Sequence, residues 1–339
     1  MTTLNRRIVL ASRPSGAASE ANFRLESVPV PEPGPGQVLV RHHYLSLDPY
    51  MRGRMNEQKS YAAPQPLDAV MIGGTVGAVV ASRHPGFAVG DSVVNSGGWQ
   101  EYAVADGADA AALRKVDASR IPLSAYLGAV GMPGVTAWYG LNIICEPKAG
   151  ETVAVSAASG AVGGIVGQLA KAKGCRVVGI AGGAEKCGYV VRELGFDACI
   201  DYKTAPDAKA FGALLHAAAP QGIDGYFENV GGMILDAVML QMNAFGRIAM
   251  CGMIAGYDAA PLPLSYPGLI LMSRLKVQGF IVSEHPGIWP KALAELGAGV
   301  ASGAIKYRES VANGLEKAPG AFLGLLKGRN FGKQLVKLI

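Results

Sequence analysis

The residues Ala158-Ser159-Gly160-Ala161-Val162-Gly163 follow the short apolar run Val153–Val155. They open a stretch, 162–173, that sets Val162, Ile165, Val166 and Leu169 on one helical stripe. A glycine turn between a strand and a helix can hold a pyrophosphate, because the first N–H groups of a helix lack partners and its macrodipole favours negative charge. Gly160 permits close approach of the backbone to a phosphate, and Gly163 lets the helix pack on the strand. The spacing G-x-G-x-x-G is complete except at its first position, where Ala158 stands; alanine serves there if its φ is negative. The chemistry implied is dinucleotide binding.

Which dinucleotide depends on the end of the next strand, Arg176–Ile180. An NAD enzyme places Asp or Glu there for the ribose 2′-hydroxyl, about 20 residues on. This chain has Gly182 and Gly183, and then Lys186, a cation suited to an adenosine 2′-phosphate. NADPH is therefore the expected cofactor, with the neighbouring Glu185 the local argument against it. No metal is expected to take part. The five cysteines, Cys145, Cys175, Cys187, Cys199 and Cys251, contain no C-x-x-C pair and are expected to be reduced and mostly buried. His42 and His43 are adjacent on a strand and so point to opposite faces, and His84 precedes a Pro-Gly turn; all three read as structural or surface residues.

The elements that position these residues follow from periodicity. Up to about residue 125 the chain reads as short strands between Pro/Gly turns, without strand–helix alternation. From about Leu127 strand and helix alternate with short connections: strands at Val153–Val155, Arg176–Ile180, 197–202, 223–230 and 246–252, helices at 162–173, 185–194, 208–218 and 234–242. That rhythm predicts an α/β doubly wound parallel sheet. The last forty residues leave it for an amphipathic helix, a Gly-Arg-Asn-Phe-Gly turn and a terminal strand. The expected organisation is a split β-rich domain, 1–126 with 299–339, around a Rossmann domain, 127–298, with an active-site cleft between them.

Bulk properties exclude several classes. The chain has 339 residues, long enough for two cores, with 46 Gly and 17% charged residues. A net charge of +5 without Lys/Arg blocks gives no nucleic-acid footprint. The N-terminus has no apolar h-region and no window approaches a membrane span, so a cytoplasmic protein without membrane partners is expected.

The stretches "YLSLDPYMRGRM", "GMPGVTAWYGL", "AASGAVGGIVGQLAKAKGCRVVGIAGGAEK", "GIDGYFENVGG", "GRIAMCGMIAGY", "VQGFIV" and "LLKGRNFGKQLVK" together resemble the zinc-independent medium-chain dehydrogenases/reductases. Within them, the likeness is to the prostaglandin reductase/leukotriene B4 12-hydroxydehydrogenase and curcumin reductase group, over nearly the whole chain. The resemblance implies a GroES-like domain beside the Rossmann domain, a homodimer, and NADPH-dependent reduction of a C=C bond conjugated to a carbonyl in a small enone or enal. It places Gly160, Ala161, Val162 and Gly163 on the pyrophosphate, and Lys186 and Tyr202 on the 2′-phosphate. Asn229, the run Cys251-Gly252-Met253-Ile254 with Tyr257, the run Phe280-Ile281-Val282, and Asn330 border ribose and nicotinamide. Tyr50, and less firmly Tyr61, are the substrate-side residues it highlights.

For Tyr257 two roles stand open. One is a hydrogen-bond donor to the enolate oxygen that forms when hydride reaches the β-carbon; the other is a ring that only stacks. Arg52 either braces its loop or meets an anionic substrate, and Met132 either lines the pocket or packs the core. Gly256, where the family usually carries Ser or Thr, and the short apolar stretch "PLPLSYPGLILMSRL" depart from the pattern near the expected substrate mouth. An NADPH quinone reductase and a non-catalytic NADPH-binding protein are the alternative functions.

Overall fold

The computed structural model describes residues 3–109, 113–258 and 262–339. The chain divides into two compact units, Met1–Gly128 with Glu309–Ile339, and Ala129–Arg308. In the first unit β1 (Leu4–Leu10) pairs antiparallel with β2 (Phe23–Pro29). A larger sheet contains β3 (Gln37–Ser46), β4 (Thr75–Ser82), β5 (Ser92–Asn95), β6 (Tyr102–Asp106) and β7 (Leu113–Lys115), with β3 paired to both β4 and β6. Alternation along these strands puts Val38, Val40, Val79, Val93 and Leu113 into one small core. After β3 the short helix α1 (Tyr50–Arg54) buries Met51 in a second core with Leu45, Trp99 and Phe322.

Two of the three histidines of this unit, His42 and His84, are tied by their rings to neighbouring groups. His42 is fully buried, with Nδ1 2.7 Å from Gln100 O and Nε2 3.2 Å from the Asn95 side-chain amide. A carbonyl only accepts, so Nδ1 carries the proton and Nε2 accepts from Asn95. Burial lowers its pKa to about 4 and keeps this neutral form. His84 Nδ1 accepts from the Gly86 N–H and its ring packs on Phe87.

The second unit alternates as the sequence predicts. Its order is α2 (Met132–Tyr139), β8 (Thr152–Ser156), α3 (Gly163–Ala172), β9 (Arg176–Ala181), α4 (Ala184–Arg192), β10 (Ala198–Asp201), α5 (Ala208–Ala218) and β11 (Ile223–Glu228). It continues with α6 (Gly232–Met239), β12 (Met242–Met250), α7 (Gly268–Met272), β13 (Lys276–Gly279) and α8 (Trp289–Ala301). The strands are all parallel in the order β10-β9-β8-β11-β12-β13. This is the doubly wound order, whose ligand crevice lies at the carboxyl ends of the strands where the order reverses, here between β8 and β11. Both sheet faces are covered. Val153, Val155 and Val177 meet α2, α3 and α8, whereas Ala154, Val178, Ile180 and Tyr226 meet α5 and α6. Strand β13 was not anticipated as a strand.

The chain then returns to the first unit through β14 (Glu309–Asn313), α9 (Ala318–Leu326) and β15 (Lys333–Lys337). β15 pairs with β3 on one side and β14 on the other. Lys333 fastens this tail: its buried Nζ donates to Asp48 Oδ1 and to Leu47 O, each at 2.7 Å, and the Ser46 hydroxyl donates to the other Asp48 oxygen. The units meet at 128/129 and 308/309, close to the expected 126/127 but ten residues beyond the expected 298/299. A cut at 298/299 would fall inside α8, whose Ala292 and Leu296 belong with Ile305 to the core of the second unit.

Candidate active site

The glycine turn lies at the carboxyl end of β8, where Val153, Ala154 and Val155 are wholly buried. The left-handed residue of the turn is Ala157, with φ 49°, while Ala158 is not among the residues of positive φ. Alanine is therefore unstrained at the first fingerprint position. Its methyl is accommodated on the neighbouring strand: a Cβ on Gly179 of β9 would lie 2.9 Å from the Ala158 Cβ, so Gly179 supplies the space that Ala158 fills. At Gly163 the glycine is obligatory, since a Cβ there would sit 2.5 Å from Ala157 O. Gly160 N–H bonds back to Ala157 O and Gly164 N–H to Gly160 O. Among the described residues, the N–H groups of Ala161, Val162 and Gly163 donate to no acceptor, which leaves them to an anion at the start of α3.

At the end of β9, Gly182 and Gly183 are followed by α4, with Gly183 at φ 107°. Lys186 stands in the first turn of α4, and its pKa is lowered by burial and then by the charge of Lys203. Tyr202 and Lys203 lie over Gly182, whose missing Cβ would come within 2.9 Å of Lys203 Cε and 3.0 Å of the Tyr202 hydroxyl. Asp201 holds the two turns together, its Oδ1 accepting from Gly183 N–H at 2.8 Å and Lys203 N–H at 3.1 Å. Glu185, the residue that argued for NAD, is turned to solvent, with a carboxylate oxygen 3.9 Å from the Arg308 guanidinium. Two cations and a phenol thus gather beside a glycine pair. Lys203 was not singled out from the sequence, although it directly follows Tyr202.

The ends of β8, β11 and β12 are joined by a carboxylate that the sequence reading quoted but did not interpret. Glu228, the last residue of β11, is fully buried. Its Oε1 accepts from the Ser156 hydroxyl at 2.9 Å, Gly231 N–H at 2.9 Å and Val230 N–H, and its Oε2 from the Tyr226 hydroxyl. Its backbone carbonyl accepts from Cys251 and Gly252. Asn229 is fixed from β8: its N–H donates to Ser156 Oγ and its side-chain amide to Ser156 O, both at 2.7 Å. Burial raises the Glu228 pKa against the opposing pull of these donors.

The run Cys251–Tyr257 lies on this support. Cys251 has its thiol pKa pushed up to about 12 by burial, so it remains a thiol. Tyr257 closes the short turn Ile254–Gly256, and its hydroxyl lies 3.4 Å from where a Gly252 Cβ would be, the same point being 3.4 Å from Asn229 O. The phenol is thereby brought close to Asn229 and Gly252. A Cβ on Gly256 would be 3.1 Å from Leu262 Cγ. Pro261 of the neighbouring apolar stretch lies outside the described residues. Phe280 packs on Phe227 and Tyr139 across Gly140, where the α2 helix continues as a π-helix to Cys145; Ile281 is half-buried and Val282 buried.

The remaining candidates are distributed over both units. In the first, Tyr50 opens α1, and burial, then the nearby Asp48, raises its pKa, so it is a neutral phenol. Tyr61 is half-exposed beneath the Arg54 guanidinium, 5.1 Å from its ring centre. Arg52 is buried, with Nη1 on Asn56 Oδ1 at 2.8 Å and Nη2 on Gly16 O at 2.7 Å, which is the bracing arrangement. Asn330 donates its side-chain amide to Gly332 O within its own turn. In the second unit, Met132 opens α2, half-buried against the core, with Thr136 bonded to its carbonyl. Of the cysteines only Cys145 and Cys175 are buried; Cys187, Cys199 and Cys251 are partly exposed, fewer buried than expected. Among the described residues no three His, Cys, Asp or Glu side chains group as a metal site, and no helix is long and apolar enough to cross a membrane.

Residues 6–113 match a family described as the N-terminal domain of oxidoreductase, and residues 161–298 one described as zinc-binding dehydrogenase. The chain is 48% identical to the NADPH-dependent curcumin reductase of Escherichia coli K12, over 98% of this chain and 97% of that one. It is 44% identical to prostaglandin reductase 1 of Rattus norvegicus, over 95% of each. The chain belongs to the medium-chain dehydrogenase/reductase family, in the group of the curcumin and prostaglandin reductases. In structure it is similar to CurA from Vibrio vulnificus solved in complex with NADPH, with a TM-score of 0.92 at 47% identity, covering 98% of this chain and 99% of that one.

Proposed function

We propose that this protein uses NADPH to reduce the C=C bond of α,β-unsaturated ketones and aldehydes, with no metal in the step. The carrying observation is 48% identity over 98% of the chain to an NADPH-dependent curcumin reductase, in a chain that has the glycine turn, the paired cations and the supported phenol. The cradle fits the cofactor. Ala161, Val162 and Gly163 offer N–H groups to the pyrophosphate, Gly160 permits its close approach, and Lys186, Tyr202 and Lys203 receive the 2′-phosphate. When bound, NADPH supplies a hydride to the β-carbon of the enone.

The protein's own part is to hold the partners and to stabilise the enolate. The Glu228 carboxylate fixes the amides of Val230 and Gly231 and its carbonyl those of Cys251 and Gly252, while Ser156 fixes Asn229; in this reading they border ribose and nicotinamide together with Phe280, Ile281, Val282 and Asn330. Tyr257 donates its hydroxyl to the developing oxyanion, an interaction that strengthens as charge forms. A phenol hydroxyl can donate to that oxygen and relay the proton that ends on the α-carbon. Tyr50, Tyr61 and Met132 are the substrate-contacting side chains in this reading, with Arg52 holding the Tyr50 loop.

We further infer a homodimer in the cytoplasm. β13 is the last strand of its sheet, and Val277 on it and Leu271 and Met272 just before it are exposed, which supports pairing with a second copy. The five unpaired cysteines support a reducing compartment. Light scattering on the purified protein checks the dimer, and Val277→Lys is expected to give monomer. For the activity, a panel from short 2-alkenals to diarylheptanoids, with a quinone as comparison, is scored by NADPH consumption. Enone-dependent consumption exceeding that with the quinone supports the reading; consumption with the quinone alone, or with nothing, overturns it.

A further inference from the structure

Two of the five cysteines are each other's neighbours. Cys187 lies in the first turn of α4 and Cys199 in β10, with their sulfurs 2.9 Å apart and both side chains partly open to solvent. The others are placed differently: Cys145 and Cys175 are buried with their thiols on the carbonyls of Tyr226 and Lys148, and Cys251 sits on the Glu228 support. The pair also has a defined polarity. Cys199 donates its S–H to the Cys187 sulfur, and that hydrogen bond lowers the Cys187 pKa while raising that of Cys199. Cys187 is thus the nucleophile and Cys199 the resolving thiol.

Its position matters as much as its chemistry. Cys187 directly follows Lys186, and Cys199 precedes by two residues Asp201, which holds the Gly183 and Lys203 amides. A covalent bond between the two sulfurs would tie the first turn of α4 to the end of β10, the two segments that carry Lys186, Tyr202 and Lys203.

We propose that Cys187 and Cys199 form a hydroperoxide-sensitive dithiol whose oxidation to a disulfide weakens the grip of this chain on the 2′-phosphate of NADPH. The Cys187 thiolate attacks hydrogen peroxide, forming an S–O bond as the O–O bond breaks; the hydroxide released takes a proton and leaves as water. The Cys199 sulfur then attacks Cys187, the S–S bond forms, the S–O bond breaks, and a second water leaves with the Cys199 proton. Two thiols are oxidised by two electrons and one peroxide is reduced to two waters. A dithiol reductant reverses the step.

The effect on the cofactor rests on the NADPH reading above, and the experiment separates the two. The full-length protein is treated with hydrogen peroxide, its remaining thiols are alkylated, and it is digested with trypsin. The chain cuts conveniently after Lys186, Arg192 and Lys203, so the pair falls on Cys187–Arg192 and Glu193–Lys203. The expected product is these two peptides linked, with two of the five thiols lost and both restored by dithiothreitol. In kinetics, oxidation is expected to raise KM for NADPH about tenfold, the loss of one good charge contact, while KM for NADH stays within about twofold. Cys187→Ser is expected to lose the response to peroxide. Alkylation of both thiols after peroxide, or their conversion to sulfinic acids without a link, overturns the dithiol. A linked product with an unchanged NADPH-to-NADH ratio overturns its coupling to the 2′-phosphate. A reduced protein that does not prefer NADPH instead refutes the cofactor reading, whatever the peptides show.

Discussion

Replacing Glu228 separates a carboxylate that organises the cofactor loops from one that is merely buried. Four donors converge on it: the Ser156 and Tyr226 hydroxyls and the Val230 and Gly231 N–H groups. Glu228→Ala leaves all four in a fully buried site. At about 1 kcal/mol or more for each stranded donor, the loss is roughly 4 kcal/mol. Glu228→Gln keeps an oxygen for Ser156, Val230 and Gly231 and places an amide against Tyr226, so it costs about 1–2 kcal/mol. Urea unfolding followed by tryptophan fluorescence reads this unit through Trp138 and Trp289, with steady-state KM for NADPH measured alongside. The glutamine variant should retain cofactor binding near the natural value. Equal losses for Ala and Gln, or an alanine variant within 0.5 kcal/mol of the parent (roughly the scatter of neutral surface changes), would refute the donor count.

Other outcomes follow from the same geometry. Tyr257→Phe should lower kcat/KM on an enone by roughly 10²–10³ while leaving the Kd for NADPH unchanged, because the hydroxyl acts on charge that develops in the transition state; an unchanged kcat/KM assigns it to stacking. Lys186→Ala and Lys203→Ala should each raise KM for NADPH by about tenfold and barely alter that for NADH, read by initial rates with both cofactors. Glu228 also gives a signed pH effect. Its folded pKa is raised above the ordinary 4.5, so the folded state binds the proton more tightly, and its contribution to stability falls as pH rises from 4.5 through the folded value. Thermal unfolding against pH should therefore flatten over that window in Glu228→Gln.

Much of the fold was readable because burial and periodicity coincide. Ala208–Ala218 was placed to the residue, and the parallel sheet followed from the alternation of strand and helix with short connections. What escaped were edges. β13 is largely exposed and β14 is half-exposed, so neither carries an alternating pattern. The second unit boundary was set ten residues early because the stretch after α8 forms no strand–helix unit of its own; Ile305 ties it to the core of the second unit. In the candidate site, the glycine turn and Lys186 were picked out by type and spacing, and Tyr257 by motif. Lys203 and Glu228 were not, since their importance lies in convergence. Glu228 left a signal all the same, a carboxylate closing the buried apolar strand Ile223–Glu228, where an unpartnered charge would be costly. Cys187 and Cys199 left none, being twelve residues apart on different elements.

The central claim is that hydride is delivered to the carbon–carbon double bond. It is tested most directly with NADPH bearing deuterium in the transferred position at C4, incubated with an enone and the protein, and the product examined by NMR. The account predicts a saturated ketone with deuterium on the β-carbon. An allylic alcohol with deuterium on the former carbonyl carbon would contradict it.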